Sequence, residues 1–220
     1  IKGLREQLFN QKIKFFEFSK DWITYKVSDF LAFFSTNSLS WECLEYGDGL
    51  LNVHYGLIHQ ELPILIDLKE SKLPSIKNEY IPNKYTLCQE GDLIFTDASE
   101  DINDIGKVVE LINCNGKSII CGLHSIHARD KLKITITGFK GYAFSSQQFR
   151  KQIQQLAQGS KVYSISTKNF NECYMNIPSK EEQSKITDFL SLIDEKIANE
   201  KKVLKILQQQ KVSFLKELFI

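Results

Sequence analysis

Residues 176–219 read NIPSKEEQSKITDFLSLIDEKIANEKKVLKILQQQKVSFLKELF, and after Pro178 the run contains neither glycine nor a second proline. Ser179 followed by Glu182 has the form of a capping box. The hydroxyl accepts from the third helical N–H, and the carboxylate returns to the N–H of the cap itself. Glu181 and Glu182 also suit the positive end of a helix dipole. Stepping alternately by four and three from Ile186 gives Leu190, Ile193, Ile197, Glu200, Leu204, Leu207, Lys211, Phe214 and Leu218. A 3.5-residue repeat sustained over four to five heptads marks a coiled-coil seam, with Glu200 and Lys211 as charges that penalise wrong registers. At 1.5 Å per residue the helix from Lys180 to Phe219 is about 60 Å long. A small domain cannot cover such a stripe along its whole length, so the seam calls for a partner helix, from another half of the same protein or from a second copy. A helix folded back on its own domain is the competing arrangement.

The rest of the chain has a different texture. Ile1, Leu4 and Leu8 fall on one side of a helix that the spacing predicts over residues 1–14. Between residues 15 and 176, GLLNVHYGLI, GDLIFTDA, GKVVELI, GKSIICGLHSI and KLKITITGF read as strands rich in β-branched and aromatic residues. NCNG (113–116) reads as a hairpin turn, because Asn and Gly tolerate positive φ. SSQQFRKQIQQLAQG (145–159) reads as a helix with Phe149, Ile153 and Leu156 on one face and Gly159 as its stop. The fold class is α+β: a mixed, strand-rich domain over 15–176, preceded by helix at 1–14 and followed by a long coiled-coil helix over 177–220.

No apolar run reaches the roughly 20 residues of a membrane-spanning helix, so no membrane partner is expected. The N-terminus lacks the apolar core of a signal peptide. The chain begins with Ile1 and its one methionine is Met175, so the reading is of a piece of a longer protein. Five cysteines without a C-x-x-C fit buried thiols in a reducing cytoplasm better than a disulfide framework. The net charge of +1 hides an asymmetry. Glu90, Asp92, Asp97, Glu100, Asp101, Asp104 and Glu110 meet only Lys107 within their stretch. From Lys131 to Asn169 there is no acid, while Lys131, Lys133, Lys140, Arg150, Lys151, Lys161 and Lys168 are basic. Such a local field suits a polyanion.

Catalytic signatures are missing. There is no phosphate-binding glycine loop, no Asn-Pro-Pro-Tyr-like motif of an amino-methyltransferase, and no Pro-Asp followed by a spaced Glu-x-Lys of a nuclease. DASEDINDIG (97–106) has Ile102 where a calcium loop needs glycine. Cys121, His124 and His127 give C-x2-H-x2-H, but alternate strand residues face opposite ways and no second cluster completes four ligands, so no metal and no cofactor are expected. A self-contained DNA-modifying enzyme is the least favoured class.

Several of these stretches together resemble the specificity (S) subunits of type I restriction–modification enzymes. IPSKEEQSKITDFLSLIDEKI with its LKELF tail resembles the family's helical spacer, with Pro178, Glu182 and Gln183 in matching places. GSKVYSIS (159–166) resembles the segment closing a target recognition domain. Residues 37–58, 91–111 and 121–130 resemble stretches within such a domain. The resemblance implies a non-catalytic, DNA-binding subunit that reads one half of a bipartite target. It also implies antiparallel pairing of two spacer helices as a ruler, modification (methyltransferase) subunits docked on them, and restriction (nuclease and motor) subunits in the assembly. The sequence around LREQLF (4–9) then corresponds to the end of a preceding spacer, making this the C-terminal half of a subunit.

Within that frame Lys131, Lys140, Arg150, Lys151 and Lys161 are candidates for phosphate contacts, since affinity for DNA comes from cations on the backbone. Ser40, Trp41, His54, Tyr55, His124 and Arg129 are candidates for base edges in the major groove of double-stranded DNA. Ile186, Leu190, Ile193, Ile197, Leu204, Leu207, Phe214 and Leu218 are candidates for helix pairing. The alternative is a helical dimerisation or scaffold protein whose globular part binds another protein.

Overall fold

The computed structural model describes residues 2–60 and 62–218; Ile1 and Phe219, both invoked above, lie outside the described residues. In chain order the elements are α1 (Lys2–Phe9), β1 (Ile23–Lys26), α2 (Val27–Phe30), β2 (Leu31–Phe34), β3 (Leu44–Glu45), β4 (Leu51–Val53), α3 (Tyr55–Gln60), β5 (Leu65–Asp67), β6 (Ser75–Ile76), β7 (Leu93–Thr96), β8 (Ala98–Ser99), β9 (Val108–Ile112), β10 (Ile119–Cys121), β11 (Ser125–Asp130), α4 (Phe139–Phe144), α5 (Gln147–Leu156), β12 (Tyr163–Ser164), α6 (Thr167–Asn171), β13 (Tyr174–Ile177) and α7 (Lys180–Leu218). One-turn 3₁₀ segments lie at Trp41–Cys43 and Asn78–Tyr80. The expected α+β class holds.

A five-stranded sheet in the order β2-β11-β7-β9-β5 divides the domain, and both of its faces are covered. Strand alternation sorts the residues: Leu93 and Phe95 enter the larger core, while Ile94 enters the smaller one. In β9, Val108 joins the larger core and Val109 and Leu111 the smaller. This double burial explains why β7 and β9 read as unbroken apolar runs. The larger core includes Phe139, Phe144, Phe149 and Phe170 from α4, α5 and α6. The smaller one includes Leu57 and Ile58 from α3 and Ile119 and Cys121 from β10, part of a second, four-stranded sheet, β10-β4-β6-β3. Two short antiparallel pairs, β1-β13 and β12-β8, close the edges.

Three strand expectations are corrected. After Val53 the chain turns into α3, because His54 Nδ1 accepts the N–H of Gly56 at 3.1 Å and starts a helical turn. Residues 131–138 form no strand. Asp130 accepts from Leu132 and Thr135 N–H (2.9 and 2.8 Å), and the Gln183 carboxamide takes Ile136 N–H (2.9 Å) and Ile134 carbonyl (3.0 Å). NCNG is a turn with Asn113, Asn115 and Gly116 at positive φ, but it joins strands of different sheets. Glu90 accepts from the N–H groups of Asn113 and Cys114, both at 2.9 Å, and sends the chain across.

The first helix is also shorter than its pattern suggested. Gln11, at φ 55°, donates to Leu8 carbonyl while Lys12 donates to Gln7 carbonyl, which is the paired closure of a Schellman motif. Leu8 and Phe9 enter the larger core, and Glu6 accepts from Gln147 N–H at the start of α5. The helix at 145–159 is α5, capped by Ser146 and stopped at Ala157. Four cysteines are buried free thiols, and Cys43 is half-buried.

The long helix is rooted in this domain at one end only. Ser179 Oγ accepts Glu182 N–H at 3.3 Å, as the capping motif requires. The reciprocal arm differs: Glu182 accepts the Trp22 indole N–H at 3.1 Å. Gln183 is fully buried and also donates to Pro178 carbonyl at 2.9 Å. Ile186 and Leu190 sit in the larger core, each worth about 1.5–3 kcal/mol of apolar burial. These two seam residues are therefore spent inside the chain and cannot pair with another helix. Tyr142 donates to Asp194 at 2.8 Å, and from Glu195 to Leu218 every residue is exposed. Replacing Gln183 with Leu removes one acceptor and two donors from a dry site. Gln183→Leu should lower stability by about 3 kcal/mol, read as a shift of the urea midpoint; an unchanged midpoint would show that the carboxamide is not the lock.

Candidate nucleic-acid interface

Residues far apart in sequence meet at one end of the smaller core. Trp41 comes from a 3₁₀ turn, His54 from the end of β4, Tyr55 and His59 from α3, and His124 from the turn between β10 and β11. Their rings form a chain of tilted and edge-on contacts. Trp41 stands 5.2 Å from His54 at 82°, His54 lies 4.7 Å from Tyr55 at 38°, and Tyr55 stands 5.1 Å from His124 at 80°. His59 closes the group at 6.1 Å from Tyr55 and reaches Ala98 carbonyl at 3.1 Å. Aromatic pairs favour such edge-to-face geometry.

The turn carrying His124 is tightly specified. His124 has φ 52°, a left-handed conformation in which histidine is enriched. Gly122 donates to Val53 carbonyl at 3.0 Å, and a Cβ there would stand 2.8 Å from Asn52 Nδ2 and 2.9 Å from that carbonyl. Asn37 braces the same place, donating to Asn52 and to Cys121 carbonyl at 2.9 and 2.7 Å. His124 is thereby held outward, its Nδ1 3.3 Å from Asp97 Oδ1, and burial pushes the Asp97 carboxyl above its ordinary range.

Of the expected base-contacting residues, Ser40, Trp41 and His124 are exposed and Tyr55 is half-buried. His54 is corrected: at 7 % exposure it cannot reach a base and acts as the wedge between Trp41 and Tyr55. Arg129 is also corrected. Its guanidinium makes two 2.7 Å bonds to Asp92, one to Leu87 carbonyl at 3.1 Å, and stacks on Phe34 with its carbon 4.7 Å from the ring centre. These partners use the fork that a base edge would need. His59 was missed by sequence reading, and its one signal was its four-residue spacing from Tyr55.

The basic stretch divides in two. Lys140 is 3 % exposed and pairs with Glu110 at 2.8 Å, so it cannot meet a phosphate. Glu110 also accepts from Gly138 and Gly141 N–H at 2.8 and 2.7 Å. Burial raises the Glu110 pKa, and Lys140 works against that rise. Arg150 donates to the carbonyls of Asn103 and Ile105 and is likewise part of the fold. Lys131 is exposed but bonded to Ser28 carbonyl at 2.8 Å. Lys151 and Lys161 are exposed. The last lies in the loop before β12, whose pairing with β8 places it along the edge that begins at Asp97.

The site offers aromatic faces, an indole donor and imidazole groups able to donate or accept. Faces of this kind suit nucleobases. The buried ring also sets a pH response. His54 is held below its ordinary pKa of 6.5 by burial and then by repulsion from His124, and its Nδ1 lone pair is engaged with Gly56. The unfolded chain therefore binds this proton more readily. The ring's contribution to stability is complete above about pH 6.5 and is lost as pH falls through its folded pKa. On acidification from about pH 7.5 to about pH 5.5, the Tm of His54→Gln should fall less than that of the unaltered chain; equal falls would contradict the assignment.

Comparison with known proteins gives the family and the fold. Residues 68–209 match the family described as type I restriction modification DNA specificity domain. No curated protein matches the chain. Among solved structures, the chain is similar to the S subunit of a type I restriction–modification system from M. genitalium, with a TM-score of 0.60 and 17% identity over 89% of this chain and 44% of that one. It is also similar to the HsdS subunit from Thermoanaerobacter tengcongensis, with a TM-score of 0.58 and 13% identity over 92% of this chain and 45% of that one. The chain spans less than half the length of these subunits.

Proposed function

Because the chain belongs to the type I restriction modification DNA specificity domain family, we propose that it is one DNA-reading half of a specificity subunit, without catalysis of its own. The observation that carries this reading is the division of α7. Its first turns are built into the domain. Its remainder projects with Ile197, Leu204, Leu207, Phe214 and Leu218 between 37% and 74% exposed. Val203, Ile206, Val212 and Leu215 widen the stripe. A contiguous apolar face of this size marks an interaction surface, and its heptad spacing suits another helix. The partner is a second spacer helix, from another recognition half or another copy, with modification and restriction subunits joining the assembly.

In this reading the ring cluster supplies contacts to bases, and Lys151 and Lys161 supply contacts to phosphates. The free part of α7, from Glu195 to Leu218, measures about 36 Å, and it acts as a yardstick between two such heads on a bipartite duplex target. Sequences selected from a random duplex pool, with the modification subunit present, should contain two short half-sites separated by an unread gap. Inserting seven residues after Lys202 keeps the seam in phase and should lengthen that gap; an unchanged gap would defeat the yardstick role. Failure of the chain to shift random duplex DNA at low salt would favour the scaffold alternative.

Lys151→Ala should weaken binding to all sequences alike and reduce the slope of log affinity against log salt by about 1. A change in the preferred sequence would instead move Lys151 among the base contacts. A salt series of gel shifts on specific and random duplexes distinguishes the two.

A further inference from the structure

Cys121, His124 and His127, whose C-x2-H-x2-H spacing carried no expectation of a metal, do not gather in space, because His124 is turned outward. Its place is taken by a cysteine from a distant loop. Cys88, Cys121 and His127 are all buried, and their ligand atoms lie within 4.8 Å of one another. Among the described residues this is the one group of three potential metal ligands so gathered. We propose that Cys88 Sγ, Cys121 Sγ and His127 Nδ1 form a three-donor site for a thiophilic divalent cation, zinc in chemical class.

Three observations carry the proposal. First, His127 is completely buried, and its Nδ1 makes no hydrogen bond of good geometry, its neighbour being the Cys88 sulfur. An orphaned ring nitrogen in a dry site is costly and needs an explanation. Second, the other ring nitrogen, Nε2, lies 2.6 Å from Asp92 Oδ2. A carboxylate on the far nitrogen fixes the tautomer that frees Nδ1 as a lone-pair donor, the usual support for a metal-binding histidine. Asp92 is itself fully buried and gripped by Arg129, so this support is rigid. Third, the two sulfurs are 3.4 Å apart. Two thiolates at about 2.3 Å from a tetrahedral zinc stand about 3.8 Å apart, whereas a disulfide requires about 2.05 Å. The pair needs only a slight opening for the metal but a large closure for the covalent bond, and a disulfide would leave His127 Nδ1 without a partner.

Three protein donors leave a fourth coordination position. The ligands come from the segment before β7, from the end of β10 in the four-stranded sheet, and from β11 in the five-stranded sheet. A cation there clamps the two sheets directly behind the turn that holds His124. The proposal is independent of the DNA-reading role, because it concerns the rigidity of this junction and not what the surface binds.

The test uses the full chain, stripped of metal and kept reduced, titrated with Co²⁺ and then Zn²⁺. The expected result is one Co²⁺ per chain, with visible absorption of tetrahedral cobalt and thiolate-to-cobalt charge transfer of two-sulfur intensity, bleached by one equivalent of Zn²⁺. Cys114→Ser, a buried thiol outside the group, should leave the titration unchanged. Cys88→Ser should halve the charge-transfer intensity, and Asp92→Asn should weaken affinity about 10–100-fold. The unaltered chain alone decides the matter if a variant does not fold. Absence of stoichiometric cobalt uptake with all thiols free, charge-transfer intensity undiminished in Cys88→Ser, or a Cys88–Cys121 disulfide persisting under the same reducing conditions would each overturn the site.

Discussion

The organising constraint is the seating of the first turns of α7. Gln183 satisfies three backbone groups from two separate segments, Glu182 holds the Trp22 indole, and Ile186 and Leu190 fill space in the larger core. Around this root the 12–22 segment wraps, with Phe15 against Phe189 at 5.8 Å and Glu17 bridged to Lys185 at 3.4 Å. The root makes the helix a rigid extension of the domain, so its direction is fixed by packing. The fastening consists of buried polar bonds, which tolerate no sliding of the register.

Electrostatics inside the domain tell a second story. The acidic stretch 90–110 and the basic stretch that follows do not simply present opposite faces to solvent. Glu110 takes Lys140, Arg150 is fixed on the carbonyls flanking Asp104, and Asp92 takes both His127 and Arg129. Much of the apparent asymmetry is thus internal compensation. What remains exposed is a small set of charges of both signs, among them Glu100 and Asp101 in the acidic stretch and Lys131, Lys151 and Lys161 in the basic one.

The long helix was legible because its signals are local and periodic: a proline, a cap, and a repeat of 3.5. The strand-rich class was legible for the same reason in β7 and β9, whereas GKSIICGLHSI, read as one run, is broken at His124 into β10 and β11 of different sheets. What escaped is non-local. Nothing in KLKITITGF announces that Gln183, nearly fifty residues away, will occupy its backbone groups. NCNG has the φ preferences of a hairpin turn, but strand partners depend on the whole sheet. The ring cluster was partly visible, since Trp41, Tyr55 and His124 lay in stretches singled out by resemblance. The burial of His54, Lys140 and Leu190 was invisible because a residue type carries no record of its depth. The seam was right as a period and wrong as a uniform surface: Ile186 and Leu190 are buried in the domain, while Leu204, Leu207, Phe214 and Leu218 are exposed.

The pairing of β1 with β13, Ile23 opposite Ile177, joins the two ends of the domain. Together with the core positions of Leu8 and Leu190, it means that the domain is complete only when nearly all of its chain has been made. On the ribosome, therefore, the head cannot mature early and wait. It closes as the root of α7 emerges, while the bare portion of that helix is still being synthesised. Synthesis order thus brings out the apolar stretch of this helix only after the domain that carries it is able to close.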